Sequence, residues 1–219
     1  MHRWCLVAAL LAGTFVIAPC AQAVCSRAYS YAGLVDGRAA NGVRASLTAL
    51  EPPAVEWGHV AGWVGVGGPG AGPNGTSEWV QAGYSGFYGG DTALYVEVKR
   101  PHRSPRYREV LAGIPTGATH RVAVVELRTA HNWWHVRVDG RSVSRPVYLP
   151  GSHAAWAPVA TTESWNAGTD ACNGFAYRFA RVAVRRAGEW RGLYRPLELE
   201  DPGYRVDRLP TGFVGARAR

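Results

Sequence analysis

The chain has almost no lysine: of its 24 basic residues, only Lys99 is not arginine. It also lacks any run of five or more like charges, so its formal net charge of +8 is spread out rather than gathered into a nucleic-acid-binding arm. Charged residues are scarce at 18%, against 47% hydrophobic, which excludes a disordered chain. After residue 23 no apolar stretch approaches the roughly 20 residues of a membrane span. No segment of useful length carries helical periodicity, so a helical fold is excluded as well. Cysteine is limited to Cys5, Cys20, Cys25 and Cys172, too few for a thiolate metal site once the first two are removed.

That removal is expected because residues 1–23 read as a signal peptide. Arg3 gives a positive start, Leu6 to Ala18 is apolar, and Ala21-Gln22-Ala23 has the small-x-small form of a cleavage site. The protein is therefore expected to be secreted. Cys25 and Cys172 then remain as an even pair in an oxidising compartment and are expected to bond.

What is plentiful is 27 glycines, 14 prolines, 9 tryptophans and 10 tyrosines, the makings of strands and turns in 219 residues. The central stretch runs from Glu56 to Gly86 and reads as two strands, Trp57 to Val66 and Ser77 to Ser85, around a Gly/Pro loop. Alternation puts Trp63 and Gly65 on one face with Trp79, Gln81 and Gly83, and the small apolar Val64, Val66, Val80 and Ala82 behind. Further strands are predicted over Tyr29 to Val35, Gly42 to Leu50, Asp91 to Arg100, Thr119 to Arg128, Trp133 to Val138, Arg141 to Val147, Ala155 to Trp165 and Gly174 to Val184. Asp139-Gly140 marks a hairpin. Pro101 to Arg108 reads as a basic loop. Short strands at this spacing predict an antiparallel two-sheet jelly roll over residues 24–185. Residues 186–219 mix Arg, Pro and Gly without periodicity and read as a strap or loose tail, disordered past Pro210.

Several motifs fail on context. Gly65 to Gly70 matches G-x-G-x-x-G, but Pro69, Pro73 and Gly75 forbid the helix that a dinucleotide site needs. His131 and His135 would stand roughly 13 Å apart on a strand, too far to share a metal. Neither a cofactor nor a metal is expected. Two mid-strand glutamates remain: Glu97, sharing a face with Tyr95, and Glu163, sharing a face with Thr161 and Trp165. Both stand as groove carboxylates or as acids of a solvated sheet face.

In order, the runs WVGVGG (Trp63 to Gly68), WVQAG (Trp79 to Gly83), LYVEV (Leu94 to Val98) and a late Glu beside Trp resemble the eqolisins, over about Tyr31 to Val184. That family shows W-V-G-I-D-G, Q-T-G, W-Y-E-W-Y-P and A-E-W-I-V-E. The resemblance implies a concanavalin A-like jelly roll of two seven-stranded sheets and glutamic-peptidase activity. It places the catalytic Gln on Gln81, the catalytic Glu on Glu163, and the groove Trp and Glu on Trp63 and Glu97. Trp79, Tyr95 and Trp165 would complete the substrate-binding surface. Two departures stand out: Gly67 replaces the family's Asp, and TTESWN replaces AEWIVE. Three functions follow as expectations. The first is a secreted, acid-acting endopeptidase with a Gln81/Glu163 dyad. The second is a non-catalytic, lectin-like module holding a polysaccharide in the same concave groove. The third is a glycosidase using Glu97 with Glu163. A monomer without nucleic-acid partner or membrane span is expected in each case.

Overall fold

The alternating stretches do become strands, and the strands pair antiparallel throughout. The computed structural model describes residue 25 and residues 27–218; the expected signal peptide lies outside these described residues. In chain order the strands are β1 (Tyr29–Val35), β2 (Gly42–Ala49), β3 (His59–Gly68), β4 (Glu78–Phe87), β5 (Ala93–Lys99), β6 (Arg106–Leu111), β7 (Thr119–Glu126) and β8 (Trp133–Val138). They continue with β9 (Arg141–Ser142), β10 (Val147–Tyr148), β11 (Pro158–Trp165), β12 (Ala176–Arg186), β13 (Glu189–Arg191), β14 (Leu197–Glu200), β15 (Tyr204–Leu209) and β16 (Gly212–Arg217).

One sheet has seven strands in the order β14-β1-β11-β3-β4-β5-β6. The other has nine, with the path β10-β8-β7-β2-β12-β16-β15 and with β13 and β9 paired to β12 and β8. Their inner faces meet in one core. The first sheet contributes Val60, Val64, Val66, Val80, Ala82, Tyr84, Leu94 and Val96; the second contributes Leu47, Val122, Val124, Trp134, Phe179 and Phe213. The Tyr84 hydroxyl crosses between the layers and donates to the Leu47 carbonyl at 3.1 Å, so its polar atom is satisfied inside the core. Trp134 is 0% exposed, and its Nε1–H donates to Ser152 Oγ at 2.8 Å.

The expected hairpin at Asp139-Gly140 has both residues at positive φ, 48° and 84°, as a tight turn of that kind requires. The G-x-G-x-x-G match ends β3 and leads into a short 3-10 turn, Pro73–Gly75, rather than a helix. Cys25 and Cys172 form a disulfide across 147 residues, which fastens the start of the described chain beside the approach to β12. No helix among the described residues is long and apolar enough to cross a membrane.

Two sequence expectations are corrected. The basic loop at Pro101 to Arg108 is in part a strand, since Arg106 begins the edge strand β6; its mostly exposed side chains show no apolar alternation. The stretch 186–219 is not a tail. It supplies β13 to β16, with β14 at one edge of the first sheet and β16 inside the second, paired to β12 and β15. Phe213 and Ala216 of β16 are buried, while its glycines allow a close approach that leaves little alternation to read.

Candidate active site

The outer face of the first sheet is built in rows, because residues in register on neighbouring strands stand side by side. The rim row is aromatic across four strands: Tyr29, Trp165, His59 and Phe87. The next row holds Tyr31, Glu163, Ala61 and Ser85. Thr161, Trp63, Gly83 and Tyr95 follow. Val159, Gly65, Gln81, Glu97 and Tyr107 form the row beyond, and Gly67, Trp79 and Lys99 the last. All seven residues expected from the sequence at this site thus share one face: Gln81, Glu163, Trp63, Trp79, Tyr95, Glu97 and Trp165.

Small residues form the floor. Gly83 lies between Trp63 and Tyr95 in its row, and between Gln81 and Ser85 along β4. A Cβ on Gly83 would come within 2.0 Å of the Gly62 carbonyl oxygen and 2.6 Å of Trp63 Cα, so only glycine permits this approach of β3 to β4. Trp63, Tyr95 and Ala61 pack together there, with Tyr31 and Val159 against them.

Hydrogen bonds tie the polar groups to these aromatics. Trp63 Nε1–H donates to Glu163 Oε2 at 3.1 Å, and His59 Nε2 lies 3.3 Å from Glu163 Oε1. Gln81 Nε2–H donates to Tyr95 Oη at 3.1 Å. Trp79 Nε1–H donates to Glu97 Oε1 at 2.7 Å. Glu163 and Gln81 are 8% and 9% exposed. No hydrogen bond joins them among the described residues; Glu163, Trp63, Tyr95 and Gln81 form a chain of contacts around Gly83.

The electrostatics follow from burial beside two carboxylates. Tyr95 is pushed well above the usual phenol range by burial, then by the charges of Glu163 and Glu97. Tyr31 is raised for the same reasons. Glu97 is raised by burial and by the Glu163 charge, against the lowering effect of the Trp79 hydrogen bond. The site therefore holds neutral phenols beside a carboxyl group that gives up its proton late.

Sequence reasoning missed three contributors. His59 stacks on Trp165 with ring centroids 5.4 Å apart and reaches Glu163; its strand parity with Ala61 and Trp63 was the available signal. Tyr31 stands directly across from Glu163, again a matter of parity. Tyr107, stacked on Tyr95 at 5.2 Å and hydrogen-bonded to Ser85, sits in the stretch that reads as a loop.

Fold and face together define an antiparallel two-sheet jelly roll with a polar, aromatic-lined surface on one sheet. No family model and no curated protein sequence match the chain. Solved structures do. Scytalido-glutamic peptidase in complex with a peptide-based transition-state analog is similar with a TM-score of 0.62 at 16% identity, over 86% of this chain and 98% of that one. SCP-B, a member of the eqolisin family in complex with the tripeptide Ala-Ile-His, is similar with a TM-score of 0.57 at 15% identity and the same coverage. The fold is eqolisin-like, as the sequence resemblance implies.

Proposed function

We propose that this protein is a secreted, acid-acting peptidase that holds an extended peptide along the outer face of the first sheet and cleaves it with Gln81 and Glu163. The observation that carries this reading is the gathering of an amide and a carboxylate, separated along the chain by the six strands β5 to β10, around the bare floor at Gly83. The peptidic ligands of the two similar structures support a peptide as the occupant.

Each residue has a role in this scheme. Glu163, as carboxylate, takes a proton from a water placed between it and Gln81, and the water oxygen attacks the scissile carbonyl. Gln81 has two amide N–H donors; one is committed to Tyr95, and the other donates to the oxyanion of the tetrahedral intermediate. Glu163 then returns its proton to the leaving amine as the C–N bond breaks. Trp63 and His59 orient the carboxylate. Trp79, Trp165 and Tyr95 line the peptide's path. A carboxylate base acts best in acid. The apolar N-terminal run and the Cys25–Cys172 bond support secretion.

A second reading rests on burial. With Glu163, Gln81, Trp63 and Tyr95 all largely covered, the face also fits a binding module that grips its ligand without cleaving it. Casein digestion from about pH 2 to 7 separates the two. The wild type is expected to cleave in acid, and Glu163→Gln and Gln81→Ala each to lose about a hundredfold or more in rate. Digestion unchanged in both variants overturns the dyad; no digestion by the wild type, with calorimetric binding of the peptide, selects the binding module.

A further inference from the structure

We propose that a cleft in the second sheet is a binding site for a phosphate-type dianion. The cleft has a volume of about 520 Å³ and is lined by Asn41, Glu126, Arg128, His131, His153 and Arg185, among others. These residues come from the end of β7, from β12 and from the loops beside them, and none belongs to the outer face of the first sheet. The site therefore stands independently of the peptidase reading.

Its one buried acid is already engaged. Glu126 is 2% exposed and accepts from Asn41 Nδ2 at 2.5 Å, from the Asn132 N–H at 2.6 Å and from His153 Nδ1 at 3.0 Å. Burial pushes this carboxyl up, but those three donors outweigh it and hold the group below the ordinary carboxylate range. The other acid of the cleft, Glu189, is paired with Arg191 at 2.6 Å.

The arginines are in the opposite condition. Among the described residues neither Arg128 nor Arg185 takes part in an ion pair, and the buried Nε of Arg185 has no hydrogen-bond partner. Burial and then the charge of Arg128 pull the Arg185 guanidinium down, while Glu126 acts the other way. Two guanidinium groups thus share one cleft with no free carboxylate between them. Beside them the His131 and His153 rings stack in parallel, with centroids 3.7 Å apart and planes 5° apart. His153 spends its Nδ1–H on Glu126, so the donors left for the cleft are the two guanidinium groups.

This donor set selects for charge and shape. Two guanidinium groups that share a cleft without a counter-charge favour an anion placed between them. One carboxylate ligand can satisfy a single planar fork, whereas a tetrahedral phosphate oxyanion offers enough acceptors for two forks.

The test is calorimetric titration of the secreted chain with inorganic phosphate at constant ionic strength, with acetate as the monoanion arm. Saturable phosphate binding, with Kd of about 1 mM or tighter, is expected in the wild type. Arg128→Gln with Arg185→Gln should weaken it about tenfold or more, and Arg128→Gln alone should weaken it measurably if the double variant does not fold. Arg141→Gln, which removes the same charge from an exposed hairpin strand, should leave it unchanged. No saturable phosphate binding, acetate binding as tightly as phosphate, or an equal loss in Arg141→Gln would each overturn the proposal.

Discussion

Two glycines shape the outer face of the first sheet in different ways. Gly83 lets β3 and β4 approach and leaves the floor bare. Gly67, where the eqolisin motif has Asp, has φ of +84°, and a Cβ there would come within 2.2 Å of the Glu78 carbonyl oxygen. Introducing that Asp with Gly67→Asp is expected to destabilise the protein by roughly 1–3 kcal/mol. Urea denaturation measures this, and a neutral result would mean that the turn relaxes freely. Tyr95→Phe removes the acceptor for Gln81 and leaves a largely buried N–H unpaired, so a loss of about 1–3 kcal/mol is expected from the same assay. Glu97 titrates above its ordinary 4.5, first through burial. The unfolded chain therefore ionises before the folded one, and stability falls as pH rises from the ordinary value through the raised one. Glu97→Gln should remove this decline and leave the variant relatively more stable near neutral pH. Melting curves across the window check it; a gap between variant and wild type that does not change with pH would refute the raised value.

At the scale of elements, the late strands carry more than their composition suggests. β16 lies between β12 and β15, and Phe213 stacks on Phe179 with centroids 4.4 Å apart and parallel planes. Phe213→Ala is expected to lose about 3–5 kcal/mol, and a chain ending after Leu209 should lose cooperative melting. A truncated chain that melts like the wild type would restore the view of this segment as a dispensable tail. The central strands were legible because one face is uniformly apolar and the other carries aromatics and amides, so parity alone assigns Trp63, Gln81 and Glu163 their side. β6 was not legible: as an edge strand with mostly exposed side chains it has no buried row to impose alternation. β14 and β16 are short and lean on glycine, on a charged edge and on pairing with strands far away in sequence.

Over the whole molecule, long-range ties set the response to redox state and pH. The Cys25–Cys172 bond closes a loop of 147 residues. Cys25→Ser with Cys172→Ser is expected to remove on the order of 5 kcal/mol, read as a drop in Tm that a reductant reproduces in the wild type. Glu126 and Asp139 respond to acid. For Asp139, burial acts upward, but hydrogen bonds from His120 and the Arg121 N–H prevail and lower it. Such groups contribute stability above their ordinary range and lose it as pH falls through their lowered values. Glu126→Gln should therefore be less stable than the wild type at neutral pH and lose less on acidification. An identical acid profile in both proteins would rule out this contribution.

The sequence by itself determined the local matters: which of the central stretches are strands, which of their side chains share a face, where the chain turns at Asp139-Gly140, and which cysteines were left to pair. These follow from backbone alternation, φ preferences and counting, each settled within a few residues. Only the tertiary structure decided which strands become neighbours. Register across β1, β11, β3 and β4 brings His59 and Tyr31 to Glu163, and pairing with β12 draws β16 into the sheet. Those partners are far apart along the chain, and a hydrogen-bonded ladder gives no local sign of the strand that will complete it.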